Sequence, residues 1–336
     1  GAGISGILAA KNAAKNNFKT LLLDEKNELG GSTVYESNEY NKINNNSASL
    51  WLKKEINELK NIKNLEIKTR TSVAAYHQYN YLLARENLTD HLEKKDKKDK
   101  IRQRLLKIRA KKVILATGAL ERPLIFNNND RPGIMLSSAI KKYSNFYGVA
   151  CGTKNVFFTN NDSAYESALS LHNKGIKVEA IIDIRDNSDA KILKKINDAG
   201  IKIYWAHTIV DTKGYKRLSN VSVMKLSNDG TSVTGNKITI YCDCLGIAGG
   251  WTPAVHLHTQ SGSKLIFDDK RKIFIPKANT SELISVGSCA GDFELSEIIK
   301  NLNQKLKNFL NINKTDFDNI DFENDNETSK RNIWLL

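Results

Sequence analysis

The chain opens on Gly1-Ala2-Gly3-Ile4-Ser5-Gly6 and arrives, about 20 residues on, at Thr20-Leu21-Leu22-Leu23-Asp24-Glu25. These two words decide the fold. Glycines in the pattern G-x-G-x-x-G make a tight turn that lets a pyrophosphate approach the backbone and rest on a helix N-terminus, where unpaired N–H groups favour negative charge. The required helix follows: Ile7, Leu8 and Ala9 through Ala14 give a small-residue apolar face, and Asn16-Asn17 end it. Thr20 to Leu23 reads as the next strand. Asp24 and Glu25 then fall where an acid accepts hydrogen bonds from the ribose hydroxyls of a dinucleotide. A lone glycine pattern is weak, but with helix, strand and acid in register it is specific. A further turn at Gly30-Gly31-Ser32 is able to bring backbone close to a phosphate. The expected cofactor contacts here are Gly1, Gly3, Ile4, Ser5, Gly6, Asp24, Glu25, Gly30, Gly31 and Ser32.

Such a glycine turn normally follows an apolar strand, and none precedes Gly1. The sequence therefore reads as a fragment without the central first strand of a doubly wound sheet, which would expose an edge on each neighbouring strand. The far end reads the same way. An acidic stretch (Asp316, Asp318, Asp321, Glu323, Asp325, Glu327) leads to Ile333-Trp334-Leu335-Leu336, an apolar ending expected to run on towards a further domain.

Between the ends, Ser49 to Leu59 reads as an amphipathic helix, Leu65 to Ala75 and Tyr76 to Leu83 as alternating strands, and Arg104 to Arg109 as a third after a charged loop at 93–100. Lys112 to Gly118 (KVILATG) is a buried parallel strand ending in a glycine turn, so Ala116, Thr117 and Gly118 join the expected contacts. A second strand, turn and helix unit starts at Asn155 to Thr159, with a helix from Ser163 to Lys174, a strand at Val178 to Ile182 and an acid at Asp183. Its turn, Asn160-Asn161-Asp162-Ser163-Ala164, has no glycine, and an Asp where a diphosphate would sit is repulsive. The second unit thus has the form of a nucleotide-binding half without a usable phosphate cradle. Strands are expected at Ile201 to Tyr204 and in a hairpin of Val221–Leu226 with Lys237–Tyr241. Gly246 to Trp251 and Glu282 to Gly291 return to apolar strand-plus-glycine character before a last helix from Glu294 to Leu310.

Composition narrows the function classes. With 336 residues, 40% hydrophobic and 26% charged, the chain is globular rather than disordered. No apolar run reaches the ~18–20 residues needed to cross a bilayer, and no secretory leader opens the chain, so the expected location is cytoplasmic without a membrane partner. Lys and Arg number 51 against 37 Asp and Glu, a formal charge of +14. Its densest cluster, Glu93 to Lys100 (EKKDKKDK), interleaves acids and carries no aromatic residue for base stacking, so nucleic acid is not the expected partner. Cys151, Cys242, Cys244 and Cys289 include no C-x-x-C pair, which argues against a dithiol reductase.

Taken in this order, the segments resemble the α/β two-dinucleotide-binding-domain flavoprotein fold, Rossmann-like and FAD/NAD(P)-binding, its second unit inserted in the first and here its first strand missing. The expected division is 1–150 for the first part of the dinucleotide-binding domain and 151–245 for the inserted unit with its degenerate turn. The chain would return to the first domain over 246–311 and leave by an acidic linker at 312–336. Several longer words are more specific: Thr69 to Val73 (TRTSV) with Tyr76 to Asn80 (YHQYN), Val113 to Pro123 (VILATGALERP), Asn129 to Met135 (NDRPGIM), Phe158 to Tyr165 (FTNNDSAY) and Gly249 to Gly262 (GGWTPAVHLHTQSG). These resemble the alpha subunit of heterotetrameric sarcosine oxidase. The resemblance implies an oxidoreductase complex that demethylates sarcosine to glycine, passes the one-carbon unit to tetrahydrofolate and yields hydrogen peroxide. It implies beta, gamma and delta partner subunits, FAD and FMN in a partner or at an interface, folate in a further C-terminal domain, and NAD held by this region with no catalytic residue of its own. Val73 and Gly287 are carried into the cofactor contacts by the same resemblance. Related opine, hydroxyproline and proline dehydrogenase subunits share the architecture, some with FAD in this position.

Individual residues bear on that choice. Gly287-Ser288 stands where flavoproteins of this fold place a Gly-Asp pair whose carboxylate binds the FAD ribitol; Ser288 in place of the acid favours NAD, which has no ribitol. Cys242-Asp243-Cys244 lacks a second ligand cluster and reads as a strand end, not a metal site. His256 and His258 read as packing or interface residues, and Trp251 as packing. Arg122 either approaches a phosphate or pairs with Glu121 or a surface acid.

Overall fold

The computed structural model describes residues 1–36, 41–188 and 191–324. The chain divides into two compact units, one of Gly1–Val34, Ile43–Leu120 and Thr252–Phe322, the other of Tyr35–Lys42 and Glu121–Trp251. The C-terminal apolar ending at 333–336 lies outside the described residues.

In the first unit, the glycine turn feeds the helix Ile4–Lys15, in which every residue from Ile4 to Ala14 is buried. A helix buried all round must be covered on all sides. Its core partners include Trp51 and Leu52 of the helix Ala48–Leu59 and Ile299, Leu302 and Leu306 of the helix Leu295–Leu310. The one long charged side chain in that buried stretch, Lys11, reaches Glu55 and Glu58 at 2.6 Å each. Ser47 caps Ala48–Leu59 by accepting from the Leu50 N–H at 3.3 Å. The parallel strands lie in two pairs, Thr20–Leu23 beside Leu65–Lys68 and Val113–Leu115 beside Leu283–Ser285. A three-stranded antiparallel sheet of Thr71–His77, Tyr81–Asn87 and Gln103–Arg109 completes this unit's main strands.

The single strand expected from Leu65 to Ala75 is two. Arg70 takes a left-handed conformation (φ 51°), its N–H donates to the Lys26 carbonyl at 2.7 Å, and the Thr71 N–H donates to the Asp24 carbonyl at 2.7 Å. Residues up to Lys68 therefore serve the parallel pair and those from Thr71 the antiparallel sheet. Alternation persists through the break, so polarity alone does not reveal it.

The second unit is built on a five-stranded parallel sheet in the order Ile134–Leu136, Cys244–Ala248, Lys154–Thr159, Lys177–Asp183, Ile203–Trp205. Beside it lies the antiparallel sheet His207–Lys213, Asn220–Leu226, Val233–Tyr241, of which the first strand was not expected. Besides Tyr35–Lys42, the unit takes in Glu121–Trp251, a longer stretch than the 151–245 expected for the inserted unit. The reason is the short strand Ile134–Leu136, which pairs with Cys244–Ala248 and launches the helix Ser137–Tyr147, whose Ile140 joins Phe157, Tyr165 and Ile181 in this unit's core. A three-residue strand gives little periodicity to read.

Candidate functional site

The expected dinucleotide contacts all fall in the first unit, where the structure gathers most of them at the start of Ile4–Lys15. The Gly30 N–H donates to the Ala2 carbonyl at 2.7 Å, and Gly3 and Gly30 form an isolated parallel bridge, so the two glycine turns meet backbone to backbone. A Cβ on Gly1 would stand 2.5 Å from the Ala116 carbonyl oxygen; one on Gly6 would stand 1.8 Å from the Gly1 carbonyl oxygen; one on Gly31 (φ 64°) would stand 2.8 Å from the Gly3 Cα. Gly3 differs. The nearest atom to a Cβ there is the Gly31 Cα at 4.0 Å. Three of these glycines are thus required by the protein's own packing, whereas Gly3 opens on space at a helix N-terminus whose cap carries no side-chain hydrogen bond. A cradle that a methyl group would enter without touching protein is what an approaching pyrophosphate needs, and the residues present fit a dinucleotide.

The two acids divide their work. Asp24 is buried, accepting from the Ala2 N–H at 2.5 Å and the Lys26 N–H at 2.8 Å, so its carboxylate fastens the glycine turn to the strand end. Glu25 is exposed beside it. Ala2, which sequence reasoning passed over, supplies both the donor to Asp24 and the acceptor to Gly30.

Around this centre, Gly287 (φ 69°) packs so closely on the helix start that a Cβ would lie 2.2 Å from Ser5 Oγ. Ser288 is half-buried, and Cys289 is buried with its Sγ 3.2 Å from the Leu115 carbonyl, as a structural thiol. Thr117 donates its hydroxyl to the Ala254 carbonyl at 2.7 Å while the Ala254 N–H donates to the Gly118 carbonyl at 2.9 Å, which fixes that turn. Ile4 is buried in the core and reaches the site only through its backbone. Ser32 is exposed, and Val73 is half-buried on a strand that Thr71 ties to Asp24, packed against the cluster of Tyr76, Leu82, Val113, Leu115 and Leu283. One buried acid was missed: Asp292 accepts from Asn301 Nδ2 at 2.7 Å and its other oxygen has no hydrogen bond, with Lys305 Nζ 3.8 Å away. Nothing in the local sequence pattern distinguishes it from a surface acid.

The second unit's turn is filled by its own side chains. Asn160, Asn161 and Asp162 are all buried. Asn161 Oδ1 accepts from the Ser163 N–H and hydroxyl at 3.0 and 2.6 Å, and its amide donates to the Ala248 carbonyl at 3.0 Å. Arg185 Nη1 lies 2.7 Å from Asp162 Oδ1 and Nη2 2.7 Å from Asp183 Oδ2, to which Tyr165 also donates at 2.6 Å. Asp183, at the position of a ribose acid, is fully buried. The ion pairs and the phenol hold Asp183 towards the charged form against burial, which pushes its pKa up, and they raise Arg185. Arg122 also belongs to this unit, its guanidinium donating to the Trp251 carbonyl at 3.5 Å.

His256 and His258 sit on the short helix His256–Gln260, not on a strand; His256 is exposed and His258 is buried with Nδ1 3.1 Å from Ser285 Oγ. Asp243, between the two cysteines, binds the backbone N–H of Thr153 and Lys154. Among the described residues no group of three or more His, Cys, Asp or Glu could hold a metal, and no helix is long and apolar enough to cross a membrane.

The family model for pyridine nucleotide-disulphide oxidoreductases matches residues 1–295. The chain is 36% identical over 301 residues to the sarcosine oxidase subunit alpha of Corynebacterium sp. (strain P-1), covering 89% of this chain, and 31% identical to that of Rhizobium meliloti (strain 1021), covering 86%. It spans only about 30% of the length of these curated relatives. In fold it is similar to the thioredoxin reductase of T. acidophilum (TM-score 0.68, 18% identity, 93% of this chain and 96% of that one). It is likewise similar to the L-proline dehydrogenase of P. horikoshii (TM-score 0.63, 22% identity, 86% of this chain and 49% of that one).

Proposed function

Because the chain belongs to the pyridine nucleotide-disulphide oxidoreductase family, we propose that it is the dinucleotide-holding region of a multi-subunit amine oxidoreductase of the sarcosine oxidase type, with NAD bound at its first unit. The single observation that carries this is the open cradle at Gly3 among glycines that packing closes. There the N–H groups opening Ile4–Lys15 would take the pyrophosphate and Glu25 the ribose hydroxyls. Ser288 in place of a ribitol-binding acid favours NAD over FAD. When bound, a nicotinamide supplies hydride acceptance; in this chain we assign it a holding role, since the cysteines form no C-x-x-C pair to pass electrons on. Oxidative demethylation of sarcosine, transfer of the one-carbon unit to tetrahydrofolate, formation of hydrogen peroxide and binding of FAD and FMN would then belong to the rest of a complex with beta, gamma and delta subunits.

Likeness to the L-proline dehydrogenase fold supports a second reading, in which FAD occupies the same cradle and the complex is an opine, hydroxyproline or proline dehydrogenase. Denaturing the purified full-length complex and identifying the released nucleotide per chain tests both. One NAD equivalent per chain is the expected result; a flavin released from this chain would overturn it in favour of the second reading.

A further inference from the structure

One surface of the second unit has no part in nucleotide holding. The helix Ser137–Tyr147 buries Ser137, Ile140 and Ser144, and its C-terminal end leaves Tyr143, Phe146, Tyr147 and Val149 exposed by 43, 37, 55 and 49%. Single exposed apolar residues are ordinary, but a contiguous group on one helix end marks an interaction site. The rings are ordered against one another, with Tyr143 and Tyr147 centroids 5.7 Å apart and Phe146 edge-on to Tyr147 at 4.9 Å. Lys142 Nζ lies 5.7 Å from the Tyr147 ring and 5.8 Å from the Tyr35 ring. The helix itself is pinned: Lys174 donates to the Ser144 carbonyl at 2.8 Å, and Asn145 donates to the Tyr35 carbonyl at 2.8 Å. A rigid aromatic cluster loses little conformational entropy on docking, which is why Tyr and Trp dominate interface hot spots.

Charge says what kind of partner fits. Residues 137–154 contain Lys141, Lys142 and Lys154 and no Asp or Glu, and Lys174 meets the helix from the next one. Lys141 is taken by Glu166 at 3.3 Å, while Lys142 lies beside the Tyr147 ring and Lys174 reaches the same helix end at the Ser144 carbonyl, so the cations against the cluster are Lys142 and Lys174. A second copy would bring the same lysines against each other on a chain of formal charge +14. We propose that this aromatic helix end is the docking surface for an acidic polypeptide other than this chain. The inference rests on the multi-subunit reading above and names its contact surface.

The test uses the full-length protein purified with its native partners. A photo-crosslinking amino acid placed at position 147 should join this chain to a different polypeptide, within a segment rich in Asp and Glu. The double variant Phe146→Ser, Tyr147→Ser should leave the complex at least about tenfold faster on dilution, and Lys142→Glu should also hasten release, with melting and nucleotide content unchanged. A cross-link to another copy of this chain, an intact complex with no cross-link from 147, or wild-type release rates in the double variant would each overturn the assignment. Purification of the full-length protein with no partner chain at all would overturn the multi-subunit reading itself, and the assignment with it.

Discussion

Gly3 and Gly6 belong to one turn and fail for opposite reasons when given a methyl group. Gly3→Ala meets no protein atom within normal contact, so it should keep its melting temperature to within about 2–4 °C while losing bound nucleotide. Gly6→Ala must displace the Gly1 carbonyl from 1.8 Å and should cost about 1–3 kcal/mol or more in unfolding free energy. Differential scanning calorimetry with nucleotide quantification separates the two. The adjacent acids should part in the same way. Glu25→Gln is expected to lower nucleotide retention without loss of stability, whereas Asp24→Asn weakens the acceptor of two backbone N–H groups and should cost about 1–3 kcal/mol in denaturant unfolding. That the glycines of 1–6 form a turn opening the helix Ile4–Lys15 is legible in the sequence, because spacing dictates it. Which of the two acids the turn takes up is not legible, because that depends on where the Ala2 amide points once the turn has folded.

At the scale of elements, Ser137–Tyr147 begins against a buried carboxylate. Glu121 accepts from the Ser138 N–H at 2.9 Å, and burial raises its pKa from 4.5 to about 7 in spite of that bond and of Lys141 nearby. Between those two values the folded chain keeps a proton that the unfolded chain releases, so stability falls as pH rises through this window. Glu121→Gln should flatten that part of the pH–stability curve, measured by urea unfolding; an unchanged slope would show that another group sets it. The network of Arg185 with Asp162 and Asp183 makes a second element-level expectation. Arg185→Leu leaves two buried carboxylates without their cation and should cost about 3–5 kcal/mol without creating nucleotide affinity, checked by unfolding and by titration with NADH. The missing glycines of this turn were visible in the sequence, but its plug was not, since Arg185 lies a whole helix and strand beyond Asp162 and only the parallel pairing of Lys154–Thr159 with Lys177–Asp183 brings them together. The strand break at Arg70 was hidden for a similar reason: its cause is the hydrogen bond to Lys26, outside any local pattern.

For the molecule as a whole, one dinucleotide per chain is expected. Hydrogen exchange with and without NAD should show protection at residues 1–34, 113–118 and 283–291 and none at 154–188; protection at the second turn would sink the one-site reading. Binding at a hundred times Kd should add about 2.7 kcal/mol to the unfolding free energy of the first unit. The recurrence of the strand–turn–helix theme is legible in the sequence, while the place of Ile134–Leu136 is not, because that strand declares its allegiance only through its partner strand. The salt-bridged knot at Arg185 has a consequence for wiring. Where a glycine turn would leave room for a diphosphate, the chain has set its own cation between two carboxylates, and on the one-site reading a circulating nicotinamide would find no terminal there. If the proposed complex draws electrons from a substrate, this second unit would keep them apart from the cell's general supply of reducing power by an arginine and two aspartates.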